Sequence, residues 1–226
     1  MKKFFLFQRH TDPQWPVWKR SLFWIWNLGW GLCAALGVGL VSLVFAAVIE
    51  QKAMLLSYFH NPLLAFLNLA PVVLLYFLLY FILGRAALSY GLTAAITLGF
   101  TMGNWFKLQF RNDPLMFEDL LLLKEAGNMA GKYQLFFTKT MVLALAAVLL
   151  GWLFLHLCVR GRPGARLRLL GFALAVLCAL AVWDMTQNDD IYTNRTANNS
   201  LINQWSATQV YVSKGFVYPF LYSVKS

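Results

Sequence analysis

The chain has 226 residues, 60% of them hydrophobic and 12% charged, with a formal net charge of +10. Such a balance lies far outside the usage of soluble globular domains and marks a membrane protein. The basic residues sit at the ends of apolar runs and do not share one aromatic-lined face, so the positive charge argues against a nucleic-acid partner.

Lys2, Lys3, Arg9, Lys19 and Arg20 precede a first apolar span over residues 21–48. It is long enough to cross a bilayer core of about 30 Å and too long for the apolar region of a secretory signal, so it is expected to stay as an anchor. Gly31, Ala35 and Gly39 recur every four residues along it, a smooth strip that lets a neighbouring helix approach closely. A second span, 62–83, opens at the turn signal Asn61-Pro62. The short break at Gly84 and Arg85 forces a third span, 86–103, to return antiparallel. Gly91, Ala95, Gly99 and Gly103 repeat the small-residue strip on the third helix, which is therefore expected to be the most buried. Residues 104–136 leave the membrane, and a fourth span, 137–159, carries Ala147 and Gly151 as its small pair. A basic loop, GRPGARLR, precedes a fifth and shortest span, 169–183, with Gly171, Ala175 and Ala179 at helical spacing.

Charge sets the orientation. With the N-terminus in the cytoplasm, Lys2, Lys3, Arg9, Lys19, Arg20, Arg85, Arg160, Arg162, Arg166 and Arg168 lie inside against one acid, Asp12. Nine positive and eight acidic residues fall outside, so the balance is +9 against +1. The fold expected is all-α: a five-helix transmembrane domain over 1–183 with an exterior interfacial helix in 104–136, then an exterior juxtamembrane segment, 184–226. Cys33, Cys158 and Cys178 all fall in apolar spans, where a thiol acts as a small hydrophobe, so no disulfide or metal framework is implied. The spans show no internal repeat and no acid or lysine at mid-depth, which disfavours a transporter. Neither a nucleophile elbow nor a phosphate-cradling glycine loop nor an exterior His, Asp and Glu cluster is visible. No catalytic, cofactor-binding or metal-ligating residue is assigned in this chain.

Asn104, Lys107 and Arg111 are spaced three and four apart, so on a helix continuing from the third span they share one face beyond the apolar core. That face either snorkels to the headgroup layer or binds the phosphate of an anionic glycerolipid. Asp113 before Pro114 reads as a helix start, and an interfacial helix is expected over 114–126. Glu118 and Asp119 diverge by about 100° on such a helix, which favours an acid pairing with Lys107 or Arg111 over a shared carboxylate site. His156 reads as a packing residue. Asp184, Asp189 and Asp190 are either a solvated helix end or a divalent-ion site. The sequons at Asn194 and Asn198 carry no weight alone. Ile202, Trp205, Val212 and Phe216, with Gln209 between them, fall on one face of a helix closed by Gly215, and this aromatic tail is expected to lie on the outer membrane surface.

Two stretches carry a family resemblance. Lys107, Arg111, Pro114, Asp119 and Leu120 in NWFKLQFRNDPLMFEDLLLLKEA, and Trp205, Tyr211, Gly215 and Phe216 in the tail, resemble the membrane portion of the lipoteichoic acid synthase family. These are phosphoglycerol transferases of the alkaline phosphatase and sulfatase superfamily, and five membrane helices agree with them. The resemblance implies an exterior catalytic domain after the tail, with a threonine nucleophile and manganese held by acidic and histidine ligands. The sequence stops where that domain would begin, so the chain is an excised domain, a truncated product or a stand-alone relative. The resemblance also implies that Lys107 and Arg111, oriented by Asp119, meet the headgroup of an anionic glycerophospholipid in a bacterial plasma membrane. The other reading is a non-enzymatic anchor or interaction module whose small-residue strips bind a partner protein or another helix bundle, with a homo-oligomer as a further option.

Overall fold

The computed structural model describes residues 14–47, 59–121, 138–159, 161–197, 208–209 and 213–225. In chain order its helices are α1 (Val17–Ala47), α2 (Pro62–Leu83), α3 (Ala86–Arg111), the short α4 (Phe117–Leu121), α5 (Lys139–Cys158), α6 (Ala165–Thr186) and the short α7 (Val217–Tyr222). A π-helical turn, Ile191–Arg195, follows α6. All but α4 and α7 are long and apolar enough to cross a membrane, so the chain is a multi-pass membrane protein. Such runs become helices because hydrocarbon offers the backbone no hydrogen-bond partner outside the segment itself.

The ends of these helices are closed by specific groups. At the start of α2 the Asn61 side chain accepts from the amides of Leu63 and Leu64, and Pro62 occupies the first turn, where its missing N–H costs nothing. At its end Gly84 adopts φ 66° and returns its N–H to the Tyr80 carbonyl. The next two orphan carbonyls, of Phe81 and Ile82, take the guanidinium of Arg168. This accounts for one departure from expectation. Helix α6 begins at Ala165 and runs 22 residues, so α5, with 20, is the shortest span. Arg166 and Arg168 belong to the first turn of α6 and not to a loop, because Arg168 must stand one turn in to reach the end of α2.

Helix α2 is central. The α1 strip lies against it: Ala35 is fully buried, and a Cβ on Gly31 or Gly39 would run into Tyr76 or Leu69. On another side Gly171 admits the Phe81 ring, so α6 packs through Gly171 and Ala175. Gly151 of α5 likewise makes room for the Tyr90 hydroxyl of α3. As expected, α3 is the most deeply buried of the five. Its glycine strip is not the reason. Ala95 and Gly99 are exposed, and a Cβ at Gly99 or Gly103 would meet nothing within 4 Å. The buried face is Ser89, Tyr90, Thr93, Ala94, Thr97, Leu98 and Thr101. Hydroxyls of Ser89, Thr93 and Thr101 return to carbonyls one turn back, at 2.8 to 2.9 Å, so a small polar face is buried without orphaned donors. Size pattern alone did not say which of two small faces meets a neighbour.

The bundle has two chemically different ends. At one, called the arginine end, α1 begins, α2 turns into α3 and α5 turns into α6. At the other, the tail end, α1, α3 and α6 finish, and residues 187–197 and 213–225 fold back.

Replacing Gly171 with Leu pushes a side chain into the Phe81 ring, and overpacking of this kind costs about 1–3 kcal/mol. Thermal unfolding of the purified protein is expected to shift down for Gly171→Leu. Gly99→Ala, which meets open space, leaves the midpoint unchanged or slightly raised.

Candidate functional site

The tail end assembles two polar seats from sequence-distant residues. The first is built on the last turns of α3. Asn112, at φ 53°, reverses the chain and returns its N–H to Leu108, so the segment 113–116 runs back along the helix. Buried Asn104 accepts from the Leu115 amide at 2.8 Å. Lys107 Nζ lies 2.8 Å from the Pro114 carbonyl, 2.7 Å from Asp119 Oδ2 and 3.0 Å from Asp113 Oδ2. An ammonium has three donors, and three oxygens surround this one.

The sequence-derived site residues thus separate into two sets. Lys107 and Asp119 meet; the acid fixes the loop, one of the two alternatives left open for it. Arg111 is exposed on the last turn of α3 with no ion pair among the described residues. Asn104 serves the loop backbone. Asp113 is not the cap of a helix beginning at Pro114, because Lys107 draws its carboxylate away. Helix α4 starts at Phe117 instead, and Asp119 reaches back to accept from the Met116 amide at 2.7 Å. The remainder of the expected interfacial helix, 122–126, lies outside the described residues, as do Ile202, Trp205, Tyr211, Val212 and Asn198.

The second seat receives the tail. Asn68, 1% exposed on α2, donates from Nδ2 to the Lys214 carbonyl at 2.7 Å and accepts at Oδ1 from the Tyr218 amide at 3.2 Å. Gly215 sits between them at φ 84°, where a Cβ would overlap the Asn68 amide. Phe216 and Tyr218 are buried with Leu43, Leu64 and Leu67, and Phe220 meets Phe100 edge-on at 4.4 Å. Residues 213–222 therefore pack into the end of the bundle. The aromatic pattern was legible, but the amide that gives its backbone a place inside was not recognised.

Further bonds tie the tail to both neighbours. The Phe117 amide donates to Ser223 Oγ at 3.0 Å, which joins the tail to the Lys107 loop. Gln187 Nε2 donates to the Leu221 carbonyl, and Asn61 Nδ2 to the Arg195 carbonyl. Asp189 bonds Lys225 and Tyr222, and Asp190 bonds Arg195 and Asn194. The acids after α6 are thus paired with separate cations. Lys225 first, then Tyr222, holds the Asp189 carboxyl below its usual range. No three His, Cys, Asp or Glu side chains converge among the described residues. His156 is exposed at the arginine end and stacks on Trp152 at 5.5 Å.

Lys214 was missed by sequence reasoning and is the most unusual group here. It is 5% exposed, lies 4.2 Å from the Tyr192 ring centroid and donates to the Tyr192 carbonyl, with no carboxylate partner among the described residues. Burial pushes its pKa down to about 8. Between that value and the ordinary lysine range the unfolded tail binds a proton the seated tail does not, so the seat gains stability as pH rises through this window.

Two measurements check this construction. In Asn68→Leu the Lys214 carbonyl and Tyr218 amide lose their partner, at about 1–3 kcal/mol for each buried orphan, and a cysteine placed at Ser213 is expected to change from protected to reactive toward a water-soluble maleimide. The wild-type unfolding midpoint is expected to rise between pH 8 and pH 10 relative to Lys214→Met, which removes the titrating ammonium at similar volume.

Compared with known proteins, the chain matches no family model, no curated protein and no solved structure.

Proposed function

We propose that this chain is the membrane portion of a phosphoglycerol transferase resembling the lipoteichoic acid synthases, and that it anchors and positions a sulfatase-type catalytic domain continuing beyond Ser226. The carrying observation is the tail seat: Asn68, Gly215 and Phe216 fix residues 213–222 in the end of the bundle, so whatever follows starts from a defined place. A flexible tether would serve an anchor equally well. A docked one serves a reaction between a membrane lipid and a catalytic centre that must meet at a fixed height.

Charge supports the orientation. Among the described residues the arginine end has six basic side chains and no acid, and the tail end has six of each. The arginine end therefore faces the cytoplasm of a bacterial plasma membrane, and the tail end the exterior. There Arg111 supplies the exposed cation for the phosphate of an anionic glycerophospholipid. Lys107, held by Asp119 and Asp113, keeps the loop that presents it. The manganese expected for this chemistry belongs to the catalytic domain, and no residue of this chain is assigned to it.

The test uses the full-length protein. Arg111→Gln removes one charge-assisted contact worth about 1.5–3 kcal/mol, so polymer transfer is expected to fall at least about tenfold with insertion unchanged. Unchanged transfer rejects the headgroup role. A tag at Ser226 reachable only from the cytoplasm rejects the orientation and the transferase reading with it, leaving a non-enzymatic anchor.

A further inference from the structure

At the arginine end, a cavity of about 470 Å³ opens between the start of α3 and the end of α5. Its mouth holds Arg85, Arg162 and His156, and its wall continues into Leu88 and Trp152. The volume falls within the usual range for small-molecule sites. The surroundings decide its chemistry. Arg168 is spent on the last carbonyls of α2, but Arg85 and Arg162 are exposed and make no ion pair among the described residues. No described carboxylate lies at this end. Arg85 also provides no side-chain cap for the amides that open α3, which leaves a second source of positive potential facing the cavity. The wall is not water-facing. Leu88 is 45% and Trp152 40% exposed, and their exposed neighbours Leu92, Ile96, Leu149 and Leu153 are apolar too, so the cavity continues along the lipid side of the bundle.

We propose that this cavity binds the phosphodiester of an anionic phospholipid, with Arg85 and Arg162 on the phosphate oxygens and the acyl chains descending past Leu88 and Trp152. Basic pockets between membrane helices at headgroup depth take such lipids, and a planar guanidinium suits phosphate oxygens better than a point charge. The Trp152 indole, lying where a Cβ on Gly91 would just touch it and stacked on His156, forms the boundary between the polar mouth and the apolar wall. The site lies at the opposite end of the bundle from Arg111 and does not rest on the transferase reading or on the orientation of the chain.

Native mass spectrometry of the protein in neutral detergent tests the proposal, with phosphatidylglycerol, phosphatidylcholine and inorganic phosphate added in separate titrations. Wild type is expected to bind phosphatidylglycerol saturably and in preference to phosphatidylcholine. The double variant Arg85→Gln, Arg162→Gln is expected to bind it at least about tenfold more weakly, and the lysine pair to recover part of the loss. Arg166→Gln removes a neighbouring charge that does not line the cavity and is expected to leave binding unchanged. Equal binding of the two lipids, or equal losses in Arg166→Gln and the double variant, overturns the site in favour of general surface charge. Saturable inorganic phosphate binding without lipid binding keeps the anion chemistry and overturns the lipid assignment. Both arginines are exposed, so the variants are expected to fold; an unchanged unfolding midpoint verifies it.

Discussion

Three buried amides govern how this chain folds at its ends. Asn27 on α1, Asn68 on α2 and Asn104 on α3 are each almost fully enclosed, and each accepts from the backbone N–H of a segment that is not a membrane-crossing helix. Asn27 takes Gly161, where a Cβ would collide with the amide; Asn68 takes Tyr218; Asn104 takes Leu115. Irregular backbone cannot enter a bilayer-level environment with unpaired groups, so it goes only where a side chain supplies the missing partner. The carboxamide does this well, because one group both donates and accepts: Asn68 also donates to Leu64 and Lys214, and Asn27 to Phe23.

Those amides explain why the two ends are ordered in the same manner although their chemistry differs. Between the ends, helices pack without a hydrophobic drive, since lipid tails are as apolar as leucine. Close approach at Gly31, Gly151 and Gly171, together with hydroxyls that satisfy themselves, must hold the bundle instead. At the tail end the same economy extends to aromatic rings. Tyr192 stacks on Tyr222 at 3.7 Å and nearly parallel, and Lys214 lies over the Tyr192 ring. A positive charge is then enclosed with no carboxylate beside it among the described residues, at the cost of a depressed pKa.

The five crossings were legible because length and apolar composition decide them, and α2 begins and ends where Asn61, Pro62 and Gly84 say it should. Ends were less legible where a side chain acts at a distance. Arg168 reads as loop charge until the carbonyls of α2 are seen to need it, and Asp113 reads as a cap until Lys107 competes for it. The small-residue strip misled on α3, since Gly99 faces open space while the threonine face is buried. The signal that was available and unused is a lone amide inside an apolar run: Asn27 and Asn68 stand among residues that offer no reason for a polar group. Neither forms a motif, and their partners lie 134 and 150 residues away, beyond the reach of local pattern.

Electrostatics adds a step that packing alone does not give. At the tail end the acids are drawn onto nearby cations: Asp113 and Asp119 hold Lys107, Asp189 holds Lys225, and Asp190 holds Arg195. The pairs of Asp189 and Asp190 are solvent-exposed and screened, so their main effect is to cancel field, whereas the Lys107 pair with Asp119 is largely enclosed and also fixes the loop. The arginine end does the opposite, gathering Arg85, Arg162 and Arg166 with no acid among the described residues to oppose them. A concentration of uncompensated charge repels itself, and in a membrane protein the neutralising anions nearest to hand are lipid headgroups. Among the described residues the charges are therefore largely balanced where the tail is seated, Arg111 apart, and unbalanced where the arginines stand.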